Sequence, residues 1–295
     1  MLSLRILEII FPLLAITGIG YLYGRRQRPG MDVANQLNME IFLPALIFSA
    51  LSSRSFDVPT YGPVAFAALL VVIGSGLLAW PFVRASRAAV KTFVPPLMFS
   101  NAGNMGLPLM LLAFGEAGLP AALVMFLVET FLHFTLGIYI LDHRAKLAAV
   151  FRQPMVIAAA LGVAVSFSGV QLNATLALPI EMLGNVSIPL MLFSLGVRLA
   201  DADLGEWRIG LAAAIAAPLT GVALALAVVP MLGLQGRLAG VVILFGALPP
   251  AVLNFMLSEK YQQEPAKVAS IVILGNLFAL VSIPLTLAYV LPRYG

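Results

Sequence analysis

Two short segments place polar or ring-constrained residues inside long apolar stretches, where a helix would otherwise continue. The first reads Asn101-Ala-Gly-Asn104-Met-Gly-Leu-Pro108, and the second contains Pro249-Pro250. Gly, Asn and Pro at this density are typical of a turn. Two consecutive prolines are poorly compatible with a continuous helix, because each removes a backbone donor. Both segments therefore predict a helix that breaks and restarts.

A restarted helix has chemistry of its own in its first turn. Its leading N–H groups lack partners and carry the positive end of the helix dipole, so they attract anions. Asn104 is predicted to cap the second half of the first broken helix, with Pro108 in its first turn. The alternative is that both segments are only kinks, since Gly and Pro are frequent in membrane helices.

Two ionisable side chains lie at the centre of another apolar stretch. Glu129 and His133 are four residues apart, so on a helix they occupy one face and are placed to share a proton. A hydrogen-bonded structural pair is the alternative. Glu40, ahead of Pro44, is a third candidate for proton coupling, with structural polarity inside a helix bundle as its alternative.

The amino-acid composition indicates whether these residues lie in water or in a membrane. Of the 295 residues, 61% are hydrophobic and 10% are charged, and the mean hydropathy is +1.02. An ordinary soluble domain has roughly 45–50% apolar and 25% charged residues, so the sequence predicts a membrane protein. The absence of cysteine from the sequence excludes thiolate catalysis, disulfides and Cys-type metal sites. Neither a cofactor nor a resident metal is expected.

Charged islands separate stretches that are long enough to cross a bilayer. The ten predicted spans are residues 4–23, 33–52, 61–83, 92–114, 118–141, 154–170, 176–197, 209–232, 238–257 and 267–291. Loops after the odd-numbered spans hold 13 of the 17 Lys and Arg residues. Because basic residues accumulate in cytoplasmic loops, both termini are predicted to lie outside the cytoplasm. The net charge of +4 thus indicates topology rather than nucleic-acid binding.

The two halves of the chain resemble each other at a separation of about 145 residues. Pro44-Ala-Leu-Ile-Phe-Ser in span 2 matches Pro189-Leu-Met-Leu-Phe-Ser in span 7, and the interruption of span 4 falls on that of span 9. A unit of five helices, an odd number, enters the membrane from opposite sides in its two copies. The sequence therefore predicts an all-α membrane protein with ten transmembrane helices in a five-plus-five inverted repeat, residues 1–153 and 154–295, as in secondary transporters.

Three further asparagines lie at positions that the repeat relates to the other half of the chain. Asn38 and Asn185 lie shortly before the matched prolines of spans 2 and 7. They are predicted to line a substrate path near the interruptions, or alternatively to bridge helices by hydrogen bonds. Asn276, on span 10, has approximately the repeat position of Glu129. This correspondence favours an interior placement of both side chains.

Several segments, taken in their order along the chain, resemble the auxin efflux carrier family, within the superfamily of bile-acid, arsenite and auxin transporters. The segments are residues 37–48, 101–109, 153–157, 184–190 with Leu195-Gly196, and 247–261. The resemblance covers nearly the whole chain. It implies a scaffold domain and a transport domain, each built from both repeats, in which broken helices 4 and 9 cross at their interruptions.

The resemblance also implies a substrate and its contacts. A small organic anion, often carboxylate-bearing or auxin-like, is held near the crossing. The residues implied are Asn101, Gly103 and Asn104 for contact with the substrate, Pro108, Pro249 and Pro250 for the shape of the crossing, and Asn254 one turn beyond the second interruption.

The sequence therefore predicts a secondary transporter of small organic anions, an elevator-type carrier in a bacterial inner membrane that works by alternating access. Two alternatives stay open, a sodium-coupled symporter of the bile-acid transporter type and an anion channel. An enzyme is not expected, because the chain has two His, no Cys and scattered acids. The expected partners are the organic anion and the lipid bilayer, with a homodimer left open.

Overall fold

The computed structural model describes residues 2–52, 58–86, 89–144, 147–170, 172–200 and 205–295. Within this part of the chain the regular elements are all helices, and one isolated antiparallel bridge joins Ser100 to Pro250. The all-α class is therefore confirmed for these residues. Three basic residues used in the loop count, Arg54, Arg87 and Lys146, lie outside the described residues.

The helices follow one another with short connections. They are α1 (Leu2–Gln27), α2 (Asp32–Leu37), α3 (Leu43–Ser52), α4 (Val58–Ser86), α5 (Val90–Met98), α6 (Leu107–Phe114), α7 (Leu119–Leu132), α8 (Ile138–Leu141), α9 (Pro154–Ser168), α10 (Ala174–Ala200), α11 (Trp207–Met231), α12 (Gly236–Gly246), α13 (Val252–Lys260) and α14 (Pro265–Tyr294). π-Helical turns at Asn38–Phe42, Ala102–Gly106 and His133–Gly137 connect α2 to α3, lead into α6, and connect α7 to α8. A 3₁₀ turn, Leu147–Arg152, precedes α9.

Six helical stretches of the described chain are long and apolar enough to cross a bilayer. They are Leu2–Gln27, Pro59–Arg84, Leu119–Leu141, Ala174–Ala200, Trp207–Met231 and Pro265–Tyr294. These stretches indicate a multi-pass membrane protein. The other four predicted spans contain helices that are shorter, broken or joined through a π-helical turn. The ten-span topology therefore stays a prediction.

By its internal contacts the chain divides into two units, and each unit combines segments from both halves of the sequence. Unit 1 consists of Met1–Ile10, Pro63–Leu147 and Ala202–Gly295, and unit 2 consists of Phe11–Gly62 and Ala148–Asp201. Both interrupted helices belong to unit 1. The assignment of transport and scaffold roles to such units stays a prediction.

Within unit 2, small residues bring helix backbones into direct contact. A Cβ atom on Gly20 of α1 would lie 2.2 Å from the carbonyl oxygen of Phe193 on α10, and one on Gly196 of α10 would lie 2.0 Å from that of Thr17. Helices in membranes associate through such close packing, because lipid supplies no hydrophobic driving force between them.

Within unit 1, the same kind of contact holds the interrupted helix α12 against α11. A Cβ atom on Gly221 of α11 would lie 2.1 Å from the carbonyl oxygen of Gly246, the last residue of α12. On α14, Gly275 lets the ring of Pro250 approach, since a Cβ atom there would lie 2.5 Å from the Pro250 Cδ. These contacts position the end of α12 and the prolines that follow it.

The loop between α13 and α14 is fastened to the first turn of α5. Glu264 has a left-handed backbone, with φ of 45°, and its carboxylate pairs with Lys267 and accepts a hydrogen bond from the buried Thr92 hydroxyl. The bonds from Lys267 and then from Thr92 hold the pKa of Glu264 below its usual value, because both stabilise the ionised form. This loop therefore fixes the start of α5 relative to α14.

Candidate functional site

The first break, residues 99–101, separates α5 from the π-helical turn that leads into α6. Phe99 is extended, and the N–H groups of Met105 and Gly106 both donate to the Asn101 carbonyl oxygen, at 3.1 and 2.9 Å. The second half of the broken helix therefore begins directly after Asn101.

The predicted cap at Asn104 is wrong. Asn101 occupies the cap position, without a capping bond from its side chain, and Asn104 lies inside the π-helical turn. Pro108 is in the first turn of α6, as predicted, and has no N–H to donate to the Asn104 carbonyl. The Leu107 N–H reaches instead to the Ala102 carbonyl, so the helix begins earlier and with wider turns.

The second break, residues 247–251, separates α12 from α13. The last turn of α12 is closed by hydrogen bonds from Ala247 to Leu244 and from Leu248 to Phe245, at 3.1 and 3.2 Å. Pro249 and Pro250 follow, both buried, and Ala251 is extended at the start of α13.

The two breaks satisfy each other's backbone groups. The Asn101 N–H donates to the Pro249 carbonyl oxygen at 2.6 Å, and the Ala251 N–H donates to that of Phe99 at 2.9 Å. The Phe99 oxygen also accepts a 2.9 Å bond from the Asn254 amide. Polar backbone freed inside an apolar bundle is costly unless it is paired. The pairing therefore explains how both helices can stop at this depth.

A third helix joins the breaks through Asn276 of α14. The Asn101 Nδ2 donates to the Asn276 Oδ1 at 2.9 Å, and the Asn276 Nδ2 donates to the carbonyl oxygens of Pro250 and Val272, at 3.1 and 2.8 Å. Only 3% of Asn276 is exposed. The sequence indicated an interior position for this residue but not its bonds to both breaks, because the partners are distant along the chain.

On the other side of the first break, α7 and the π-helical turn after it supply two ionisable groups. The Ser100 hydroxyl donates to the Glu129 Oε2 at 2.9 Å, and the His133 ring stacks on that of Phe99, with centroids 4.1 Å apart. Both ionisable residues are buried, and an interior placement was predicted for Glu129. Their roles in proton coupling stay predictions.

Two buried polar atoms beside the breaks have no hydrogen-bond partner within the described part of the chain. They are the Asn254 Oδ1 and the His133 Nε2. Their side chains lie near each other, although no bond of ordinary length joins them. This part of the site is therefore not fully paired in the conformation described.

The two asparagines predicted to contact substrate have different surroundings. Asn101 is 3% exposed and its amide nitrogen is already bonded to Asn276. Asn104 is partly exposed, together with its neighbours Gly103 and Met105, and its side chain forms no hydrogen bond within the described residues. Asn104 is therefore free to bind a solute, whereas Asn101 helps to hold the breaks together.

A small cavity adjoins the first break on the side of α4, α11 and α12. About 20 Å³ of it is open to water, and Ser75 and Ser100 provide polar groups among its mainly apolar walls. This volume is sufficient for roughly one water molecule. The cavity is too small for an organic anion.

The remaining predicted site residues lie in unit 2. Asn38 is buried in the π-helical turn between α2 and α3, and Asn185 is exposed on α10. Glu40 is exposed and accepts a 3.0 Å hydrogen bond from the Gln36 side chain, one turn earlier. Their parts in a substrate path or in proton coupling stay predictions.

Comparisons with known proteins match nearly the whole chain. A family model described as membrane transport protein matches residues 5–150 and 146–287. A protein of Methanocaldococcus jannaschii, described as an uncharacterized transporter, is 22% identical over 300 residues. The match covers 95% of this chain and 97% of that protein.

Proposed function

The chain belongs to the membrane transport protein family, that of the auxin efflux carriers, and on this premise we propose that it is a secondary transporter of small organic anions. The observation that carries the proposal is the mutual pairing of two broken helices around Asn101 and Pro249. Transporter sites are commonly built from such discontinuous helices, whose half-helix N-termini face anionic groups. The restarted helices at Ala102 and Val252 supply these termini.

In this proposal the chain forms ten spans as a five-plus-five inverted repeat, in a bacterial inner membrane and with both termini outside the cytoplasm. Unit 1, which contains both breaks, carries the substrate, and unit 2 serves as the scaffold. The proposal is supported by the distribution of basic residues, the matched interruptions and the family. Alternating access then follows from movement of the substrate-carrying unit.

The substrate is held by amide donors and helix ends rather than by a positive side chain. No Arg or Lys lies in either break or in the helical turn after it, that is, from Phe99 to Pro108 or from Ala247 to Asn254. A bidentate carboxylate clamp by Arg is therefore not available from these segments. Asn104 is the amide with free bonding capacity. Modest affinity and a preference for singly charged carboxylates are expected from such a site.

Coupling to a proton is the energy source that we propose, with Glu129 as its primary candidate. It is the one buried carboxyl among the described residues, and it contacts the first break through Ser100. His133 is a second candidate because it stacks on the same segment. Glu40 is the third, although its exposed position in unit 2 gives it no contact that supports the role.

The experiment that tests the proposal is transport by purified protein in proteoliposomes. A panel of mono- and dicarboxylates and auxin-like aromatic acids is applied while substrate-induced current and uptake of labelled substrate are recorded. Saturable uptake of at least one organic anion is expected, with counterflow when the vesicles are preloaded with it, because a carrier exchanges substrate across the membrane. A channel would give current without counterflow, and no movement of any acid would contradict the proposal.

A further inference from the structure

Each break is bonded to a side chain from the next helix after the interrupted one, which is α7 for the first break and α14 for the second. The Ser100 hydroxyl bonds to Glu129 of α7, which is 29 residues further along the chain. The Pro250 carbonyl bonds to Asn276 of α14, which is 26 residues further along. We call the Ser100–Glu129 bond the first tie and the Pro250–Asn276 bond the second tie. The two ties have corresponding places in the two halves, but their chemistry differs.

The second tie has a fixed chemistry. An amide offers both a donor and an acceptor at any physiological pH, and Asn276 uses the donor on Pro250 and the acceptor for Asn101. The preceding residue, Gly275, allows the Pro250 ring to rest against the helix backbone. This tie therefore holds the second break, and through Asn101 the first, without responding to protons.

The first tie has a chemistry that depends on protonation. An ionised carboxylate accepts a strong, charge-assisted bond from the Ser100 hydroxyl, whereas a neutral carboxyl accepts a weaker one. Ser100 lies between Phe99 and Asn101, the residues whose backbones pair with the second break. A change in this bond therefore acts on the segment that holds the two breaks together.

Among the described elements packed against α7, none places a Lys or Arg beside Glu129 to keep it ionised. His133, one turn further, is the titratable group beside it. Among the described elements packed against α7, α6 and the turn Ala102–Gly106 have no titratable residue, and α12 has only Arg237, at its exposed start. Lys91 of α5 is at the far end of that helix and bonds to the Leu141 carbonyl, and Glu116 lies in the exposed connection before α7. Burial of an unpaired charge is costly.

We propose that Glu129 and Asn276 are corresponding positioning residues, one for each break, and that proton binding alters only the first tie. The inference rests on the proposed transport function, since it assigns the proton to one of the two breaks that form the substrate site. The proton comes from water that enters the open site and returns there. The only covalent change is formation or loss of the O–H bond on Glu129.

Four variants distinguish the effects of the two ties on substrate uptake. KM is measured for each between about pH 5 and 8, the range in which protonation switches commonly operate. For wild type we expect KM to change about tenfold across this range, which corresponds to one or two hydrogen bonds. Glu129→Gln should give a KM that varies less than about twofold, because an amide cannot ionise. Ser100→Ala should reduce the pH dependence, because it removes the hydroxyl that donates to Glu129.

The remaining two variants test the second tie. Asn276→Asp keeps the acceptor for Asn101 but donates to Pro250 only when protonated, so it should acquire a further rise in KM, about tenfold, towards alkaline pH. Asn276→Ala should raise KM at every pH without changing the shape of the profile. Thr286→Val is the matched control, because its hydroxyl bonds to a carbonyl of its own helix, that of Ser282. Ionisation of the substrate is the same for all variants and cancels in the comparison.

A second readout does not require transport. Infrared difference spectra of the protein between acid and neutral pH should contain the carbonyl band of a protonated carboxylic acid that is missing from Glu129→Gln, with an added band in Asn276→Asp. If Glu129→Gln keeps both the wild-type band and the wild-type pH profile, the inference is overturned. An Asn276→Asp variant without any new pH dependence also overturns it. The Glu129 band in a protein that moves no organic anion would support the inference about protonation and contradict the proposed function alone.

Discussion

Replacement of Asn104 by Ala is expected to reduce substrate transport at least tenfold while the protein remains normally folded. The Asn104 side chain is partly exposed and makes no hydrogen bond within the described residues, so its removal breaks no internal hydrogen bond. One charge-assisted bond to an anion contributes about 1.5–3 kcal/mol, or a tenfold or larger change in affinity. The measurement is KM for uptake together with the thermal unfolding midpoint.

Asn101→Ala is the comparison variant, because Asn101 has a structural hydrogen bond that Asn104 lacks. It leaves the buried Asn276 Oδ1 without its donor, which costs about 1–3 kcal/mol of stability. We therefore expect Asn101→Ala to lower both the unfolding midpoint and transport, whereas Asn104→Ala lowers transport alone. Wild-type uptake by Asn104→Ala would place the substrate elsewhere, and an equal loss of stability in both variants would contradict their separate roles.

Replacement of Gly221 by Ala is expected to cause a large loss of stability, although it adds only one methyl group. The added Cβ would lie 2.1 Å from the Gly246 carbonyl oxygen, which is backbone and has no rotamer by which to yield. The helices α11 and α12 must separate, at a cost of about 1–3 kcal/mol, as in other overpacked contacts. Since Gly246 ends α12 immediately before the second break, transport should fall as well.

The control for this prediction is Gly18→Ala in α1. A Cβ atom on Gly18 has no atom within 4 Å apart from its chain neighbours, and Ala is favoured over Gly inside a helix by about 0.5–1 kcal/mol. Thermal unfolding in detergent should therefore show a lower midpoint for Gly221→Ala and an unchanged or higher one for Gly18→Ala. Equal midpoints for the two variants would show that α11 and α12 can move apart at no cost.

Much of the fold was predictable from the sequence because helices in a membrane are limited by hydropathy and by helix-breaking residues. Pro249-Pro250 and the segment from Asn101 to Pro108 fall at the interruptions of two helices, as their helix-breaking residues predict. A second proline pair, Pro95-Pro96, lies inside α5, so consecutive prolines alone do not determine where a helix stops. The family was likewise predictable from motifs in a fixed order, and the family match confirms it.

The details of the site were less predictable because they depend on contacts between distant segments. Asn101 and Asn276 are 175 residues apart, and the local sequence around either residue does not predict that they form a hydrogen bond. The π-helical turn at Ala102–Gly106 also escaped prediction, so Asn104 was wrongly placed as a cap. In a helix that is apolar on all sides, hydropathy does not vary with the helical period, so a change in the number of residues per turn leaves no pattern in the sequence.

The structure also gives different surroundings to three asparagines for which the sequence predicted the same role. Asn101, Asn104 and Asn254 all lie near breaks. The amide nitrogen of Asn101 bonds to Asn276 and that of Asn254 bonds to the Phe99 carbonyl, whereas the Asn104 side chain makes no hydrogen bond within the described residues. A sequence pattern identifies where polar groups concentrate, but burial and partners decide which of them remain available to a substrate.

The central claim is that a substrate binds beside the π-helical turn at Ala102–Gly106 and is exposed to each side of the membrane in turn. The most direct measurement is labelling of Met105→Cys by a membrane-impermeant thiol reagent, in vesicles of each orientation, with and without substrate. The sequence has no native cysteine, so the label reports this position alone, and Met105 is partly exposed beside Asn104. Asn173→Cys, at an exposed position just before α10, is the control.

We predict that Met105→Cys is labelled from either side and that substrate slows the reaction in both orientations. Asn173→Cys should be labelled from the outer side only, at a rate that substrate does not change. Labelling of Met105→Cys from a single side, or at a rate indifferent to every substrate that the protein transports, would contradict alternating access around this site.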